Sequence, residues 1–263
     1  RSAHVSGLGD VYKRQSIDVD ALTMNIESLA ECMFTHKWIN PFPKFKYSER
    51  PDTATAAILD GNIVIMVDNS PAVMIIPASI FDIIEEADDF NFSPMIGSYL
   101  RITRFFFSIV TWILTPLWLL FVNNPDWVPE FMKFVLITDD ITVPVLLQLL
   151  ILELAVDGLK LAAVNTPTML STPLSIVAGI VVGEYAVSSG WFNPEALLYM
   201  AVVTVGTYGQ TNFEMGYAFK FLRVLTLILT QIFNLGGFIA GVVISVLMLS
   251  LIHISEPTRH AQI

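Results

Sequence analysis

The chain has 263 residues, 54% of them hydrophobic, with a mean hydropathy of +0.64 and a formal net charge of −10. That balance argues against nucleic-acid binding, which needs basic patches to neutralise phosphates, and marks an integral membrane protein. A single cysteine, Cys32, leaves no internal disulfide and no cysteine-built metal site.

Both ends read as foreign to the rest. Asp10-Val-Tyr-Lys-Arg-Gln15 back-translates into a string whose reverse complement encodes Leu-Ser-Leu-Ile-His-Ile, which is residues 249–254. The string is similar to a transposase sequencing adaptor, and Ser255-Glu-Pro-Thr-Arg259 continues it. Residues 1–15 and 249–263 are therefore set aside as adaptor scars, and the insert, about 16–248, is expected to be an internal fragment. Four of the 14 basic and two of the 24 acidic residues go with the scars, leaving 10 against 22, a net charge of −12. His36 is then the only histidine, which removes a histidine metal cluster. Gly7-Leu-Gly-Asp10 mimics a motif of intramembrane aspartyl proteases, but it lies in the scar. No catalytic, metal or cofactor site is expected.

Residues 16–98 read as a soluble α+β domain. Leu22, Ile26, Leu29 and Met33 share one helical face. Asn40-Pro-Phe-Pro43 ends that helix, because proline supplies no backbone donor and restrains its neighbour. Glu49-Arg-Pro-Asp52 opens a short helix to Leu59, with Gly61 past its end as a cap. The runs 63–67 and 72–76 flank Asp68-Asn-Ser-Pro71 and predict a hairpin. Both runs are apolar throughout, so burial on both faces is expected. Ser79 with Asp82 predicts a capping box opening a helix to about Phe90.

From 99 to 248 the pattern is a transmembrane bundle. Spans are expected at about 103–122, 141–160, 172–190, 195–213 and 224–248. Pro167 and Pro173 break the uncharged stretch before the third. Arg101 with Arg104, Lys160, and Lys220 with Arg223 fall on alternate sides of this count, so the positive-inside rule places the soluble domain in the cytoplasm. A re-entrant second segment would invert the later loops.

The second span is the unusual one. Only twelve residues separate Asp140 from Glu153, so a crossing helix must carry Glu153, and Asp157 with it, into or near the bilayer. Glu153, Asp157 and Lys160 fall at i, i+4 and i+7, one polar stripe on an apolar rod. An ionised side chain at bilayer depth costs about 2.5–3.5 kcal/mol on insertion scales and marks a functional-site candidate. The alternative is an internal Asp157–Lys160 pair that only fixes helix depth.

Two further carboxylates sit at predicted span ends. Glu184, beside Tyr185, reads as a headgroup-level residue or a pore residue. Glu214 follows Gly206-Thr-Tyr-Gly-Gln-Thr-Asn212, and irregular backbone at membrane depth is tolerated only where it is buried or lines water. The pairs Gly179/Gly183 and Gly237/Gly241 have helix-contact spacing, serving bundle packing or a subunit interface.

Asn40-Pro-Phe-Pro-Lys-Phe-Lys-Tyr-Ser-Glu-Arg-Pro-Asp52, Gly61, Val67-Asp-Asn-Ser-Pro71 and Pro77 together resemble the spore germination GerA family. Asp20-Ala-Leu-Thr-Met24, Ala163-Val-Asn-Thr-Pro-Thr-Met-Leu-Ser-Thr172 and Phe192-Asn-Pro-Glu195 extend the resemblance across the insert. It implies an α-helical integral membrane protein with about five transmembrane helices, preceded by a small α+β cytoplasmic domain that is truncated here. It further implies residence in the spore inner membrane and homo-oligomeric assembly with other germination membrane proteins into an ion-conducting pore. The candidate ion path is then Glu153, Asp157, Glu214 and Glu184. This chain departs from the family where a proline usually precedes the Tyr-Glu of the fourth span, reading Gln210-Thr-Asn-Phe-Glu214. The runner-up is a non-conducting scaffold or regulatory subunit.

Overall fold

Proline, glycine and a capping serine set the ends of the short elements in the first part of the chain. The computed structural model describes residues 3–6, 25–33, 41–43, 45–68, 70–86, 89, 92–138, 142–165, 179–210 and 212–254. These fall into two units, Arg1–Ile102 with Thr211–Met215 and Leu247–Ile263, and Thr103–Gln210 with Gly216–Val246.

The first unit holds β1 (Ala3–Ser6), α1 (Asn25–Met33), β2 (Lys46–Ser48), α2 (Pro51–Leu59), β3 (Ile63–Val67), β4 (Val73–Ile76) and α3 (Ile80–Ile84). Pro51 stands at the first turn of α2, where its missing donor costs nothing. Gly61 follows the helix with φ +88, a conformation glycine reaches without Cβ strain. The strands form an antiparallel sheet in the order β1-β3-β4-β2. Strand β1 belongs to the segment read as adaptor-encoded and lies along β3.

The predicted hairpin is present, with Ile65 opposite Met74 and Ile63 opposite Ile76. Alternation sends Ile65, Val67, Met74 and Ile76 to one face, where Ile26, Leu29 and Ala30 of α1 cover them. Val64 and Ile75 face the other way, onto Ala57 of α2. Burial is therefore two-sided, with one exception. Helix α2 is only nine residues long and leaves Met66 at 44% exposure. Leu22 lies outside the described residues.

The Ser79 capping box forms as predicted, with Asp82 N donating to Ser79 Oγ and Ser79 N donating to Asp82. The helix is shorter than expected, stopping at Ile84 rather than continuing to Phe90. A helix continued to Phe90 would carry Asp88 and Asp89 in its last turn, with Glu85 and Glu86 just before it, and the helix dipole disfavours negative charge at the carbonyl end. Glu86 N instead donates to the buried Asp89 carboxylate at 3.4 Å.

The long helices are α4 (Pro94–Asn123), α5 (Val145–Asn165), α6 (Pro194–Tyr208), α7 (Phe213–Phe233) and α8 (Leu235–Ile254). Two of them, α4 and α7, are long and apolar enough to cross a membrane. Helix α5 matches α7 in length and in its three charged side chains. Its Glu153, Asp157 and Lys160 all lie in the middle or second half, whereas Glu214 of α7 stands at the helix start and leaves a longer run with only Lys220 and Arg223. Helix α6 has fifteen residues, about 22 Å of rise. The expected span 172–190 is described only from 179, where a π turn, Ile180–Tyr185, runs into Ala186–Ser188. In the second unit Trp118 and Leu119 of α4, Leu149 and Leu152 of α5, Met200 of α6 and Leu227 of α7 form one core.

The expected stretch 224–248 is not one helix. It divides at Asn234, whose φ is +52, and the chain doubles back there. A Cβ built on Gly237 would lie 1.8 Å from Leu229 O, and one on Gly241 would lie 2.8 Å from a Thr226 side-chain carbon. Helices α7 and α8 therefore meet backbone to backbone along Thr226, Thr230, Gly237 and Gly241. Thr226 and Thr230 return their hydroxyl protons to carbonyls one turn back, so no polar group is stranded in the seam.

Candidate functional site

Helix α5 places Glu153 and Asp157 one turn apart on the same face. Helix α7 places Lys220 and Arg223 at i and i+3, again on one face. The two faces meet as an antiparallel ladder. Arg223 donates from Nε to Glu153 Oε1 and from Nη2 to Oε2 at 2.8 Å, a fork-to-fork pair. Its Nη1 donates to the Thr111 carbonyl of α4. Lys220 Nζ is paired with Asp157 and lies 3.9 Å from Glu153 Oε2.

Burial makes this cluster consequential. Glu153 is 4% exposed and Arg223 3%. Arg223 is the eleventh of the 21 residues of α7, so it lies roughly 15 Å from either end of that helix. Removing such charges from water costs several kcal/mol per ion, and only close pairing with extra hydrogen bonds offsets it. Arg223 meets that requirement with donors from all three nitrogens. While the pair is closed, both oxygens of Glu153 are occupied and cannot take up a cation. Were the helices to part, two carboxylates one turn apart would be exposed on α5.

The pairing differs from the local one that the spacing allows. Asp157 takes Lys220 rather than Lys160, and Lys160 Nζ instead lies 5.4 Å from the centre of the Tyr208 ring and 5.9 Å from that of Tyr217. Such placement over ring faces stabilises a cation without a carboxylate. Lys220 and Arg223 were expected in a loop between spans, and their position inside α7 removes them from the charge count that oriented the topology.

Polar contacts on either side fix the helices. Gln148 of α5 donates to Asn193 Oδ1 at 2.7 Å and accepts from Asn193 N at 2.9 Å. Asn193 is the N-cap residue of α6, and its side chain is taken by Gln148 instead of capping its own helix. Gln210 Nε2 donates to Thr111 Oγ1 at 3.2 Å, close to the Arg223 contact on the same residue.

The other candidate residues lie apart from the ladder. Glu184 is exposed on the π turn, and Glu214 is exposed in the first turn of α7. Glu214 contributes, after burial and Glu27, to raising the pKa of the Tyr47 hydroxyl. Gly237 and Gly241 are in the α7–α8 seam, whereas a Cβ on Gly179 or Gly183 would meet nothing within 4 Å. Among the described residues no group of three His, Cys, Asp or Glu side chains could hold a metal ion. Sequence reasoning missed Arg223 and Lys220 as partners of the carboxylates. The available signal was two basic residues at helical spacing inside a run whose other residues are mostly apolar.

The model of the family described as Bacillus/Clostridium GerA spore germination protein matches residues 8–255. The chain is 35% identical to stage V sporulation protein AF of Bacillus subtilis (strain 168), over 89% of this chain and 48% of that protein. It is 33% identical to spore germination protein GerIA of Bacillus cereus, over 76% of this chain and 31% of the relative. An uncharacterized membrane protein, YfkQ of Bacillus subtilis (strain 168), is 24% identical over 94% of this chain and 50% of its own length. The chain thus spans half or less of the length of these relatives. No solved structure matches it.

Proposed function

The chain belongs to the Bacillus/Clostridium GerA spore germination protein family, and from that membership we propose that it is the membrane-embedded part of a subunit in an oligomeric ion-release channel. It is a non-enzymatic, multi-pass protein of the spore inner membrane, its soluble domain faces the cytoplasm, and it assembles with other germination membrane proteins. Two long apolar helices and the names of its relatives support membrane residence and a role in germination.

The observation that carries the channel reading is the ladder of Glu153 and Asp157 with Arg223 and Lys220 at the middle of two helices. Ionisable groups at that depth are expensive to maintain and are by default a functional-site hypothesis. The ladder acts as a latch. Closed, it is neutralised pair by pair. Opened, it offers hydrated carboxylates to a passing cation.

A second reading, a non-conducting scaffold, is favoured by the completeness of the pairing itself. Exchanging the charges separates the two. Glu153→Arg combined with Arg223→Glu keeps a buried pair but moves the carboxylate from α5 to α7. The measurement is potassium release from germinating spores, normalised to protein level by immunoblot. Normal abundance with slowed release supports conduction past Glu153. Normal release at normal abundance makes the pair a structural clamp and favours the scaffold.

A further inference from the structure

Helix α4 ends at Asn123, and the chain turns at Asn124-Pro-Asp126. Two 3-10 helices follow, Pro125–Trp127 and Glu130–Val135. They do not lead away from α4. Trp118 Nε1 donates to Val135 O at 2.8 Å, which fixes Val135 beside a residue five positions before the helix end. At 1.5 Å of rise per residue, Val135 therefore lies about 7–8 Å back from the end of α4, toward its middle. Val135 and Ile137 also pack against the Trp118, Leu119 and Leu149 core.

The returning segment turns aromatic rings outward. Phe131 is 77% exposed, Phe134 78% and Trp127 50%, while Val128 is buried and holds the segment to the bundle. Rings facing outward below the end of an apolar helix meet acyl chains and headgroups rather than bulk water; tryptophan is enriched at that boundary, and phenylalanine with tryptophan forms the apolar face of segments that lie in it. The charges are compatible with it, because Lys133 and Glu130 neutralise each other at 2.6 Å. We propose that residues 125–135 form an interfacial membrane element, with Trp127, Phe131 and Phe134 seated in the phospholipid headgroup–acyl boundary. The inference rests on α4 crossing the bilayer.

Spin labels on single cysteines test it, in the full chain carrying Cys32→Ser and reconstituted into vesicles of phosphatidylcholine with a minor fraction of phosphatidylglycerol. Labels go on Phe131→Cys, Phe134→Cys, Asp126→Cys and Ile109→Cys, the last on the exposed side of α4. Collision with oxygen reports lipid, and collision with a water-soluble nickel chelate reports solvent. The expected oxygen-to-nickel ratio at 131 and 134 is several-fold above that at 126 and approaches that at 109. Nickel access at 131 and 134 equal to that at 126 overturns the proposal. So does shielding of both positions from both reagents, which would place protein, such as a second copy, over the rings. Nickel access at 109 would instead remove the membrane span on which the inference rests.

Discussion

Arg223 and Glu153 meet fork to fork although 70 positions separate them in sequence, and a third nitrogen of the same guanidinium takes the Thr111 carbonyl. One side chain thereby ties three helices, α4, α5 and α7, within the second unit. The tie is directional, unlike hydrophobic packing. It sets which faces of α5 and α7 oppose each other and in what register, because Lys220 and Asp157 match only when Arg223 and Glu153 do.

Breaking that pair and removing it should differ. Glu153→Ala or Arg223→Ala alone leaves a buried charge and should cost about 3–5 kcal/mol. Glu153→Leu together with Arg223→Met leaves no charge to bury and should recover most of that loss. Thermal unfolding of the purified protein in lipid nanodiscs checks this. A double variant no more stable than either single one would mean that the charges act through something other than each other.

The glycines of the two predicted pairs should respond oppositely. Gly237→Ala sets a methyl against Leu229 O and Gly241→Ala sets one against Thr226, so the α7–α8 seam must open. A loss of roughly 1–3 kcal/mol or more is expected for each. Gly179→Ala and Gly183→Ala meet open space and should be near neutral in the isolated subunit. If they lower oligomer yield while leaving subunit stability unchanged, that pair contacts another subunit. Size-exclusion profiles and unfolding midpoints distinguish the cases.

Local signals carried the soluble domain well. Pro51, Gly61 and the Ser79–Asp82 box each act within four residues of their own position, and each formed as the residues predict. The membrane part was less legible because its decisive contacts are distant. Nothing in the 224–248 stretch forces a break at Asn234. The turn there is held by Asn124, 110 positions away, and by the close approach of Gly237 to α7. Lys220 and Arg223 resemble a cytoplasmic flank for the same reason. A basic residue near apolar runs is read as facing water unless its carboxylate partner is known, and that partner lies on another helix. Glu153 and Asp157 stood out because their cost at bilayer depth depends on their own helix alone.

The hairpin core offers a simple check on the first unit. Ile65 is 3% exposed between α1 and the sheet, so Ile65→Ala should cost about 2–5 kcal/mol if the site cannot collapse. Its neighbour Met66 points to the other face at 44% exposure, and Met66→Ala should cost far less. Lower accumulation of the Ile65 variant, with Met66→Ala at wild-type level, is the expected pattern. Equal accumulation would mean that Ile65 is not a core residue.

The turn at Asn234 combines two demands that substitution can separate. Its φ of +52 lies in the left-handed region, where a residue other than glycine or asparagine is strained by about 1–2 kcal/mol. Its amide also exchanges two hydrogen bonds with Asn124, at 2.6 and 2.9 Å, each contributing about 0.5–1.5 kcal/mol. Asn234→Gly keeps the backbone conformation and loses the amide, so it measures the pair. Asn234→Ala loses both and should be the less stable of the two. Asn124→Ala removes the same pair from the other side, together with the bond from Asn124 Nδ2 to Leu120 O. In the Asn234→Gly background, Asn124→Ala should therefore cost less than it does in the wild type. Unfolding midpoints of the four proteins form the cycle. Full additivity would show that the two amides do not act on each other, and that the doubling back of α7 onto α8 is held by the glycine seam alone.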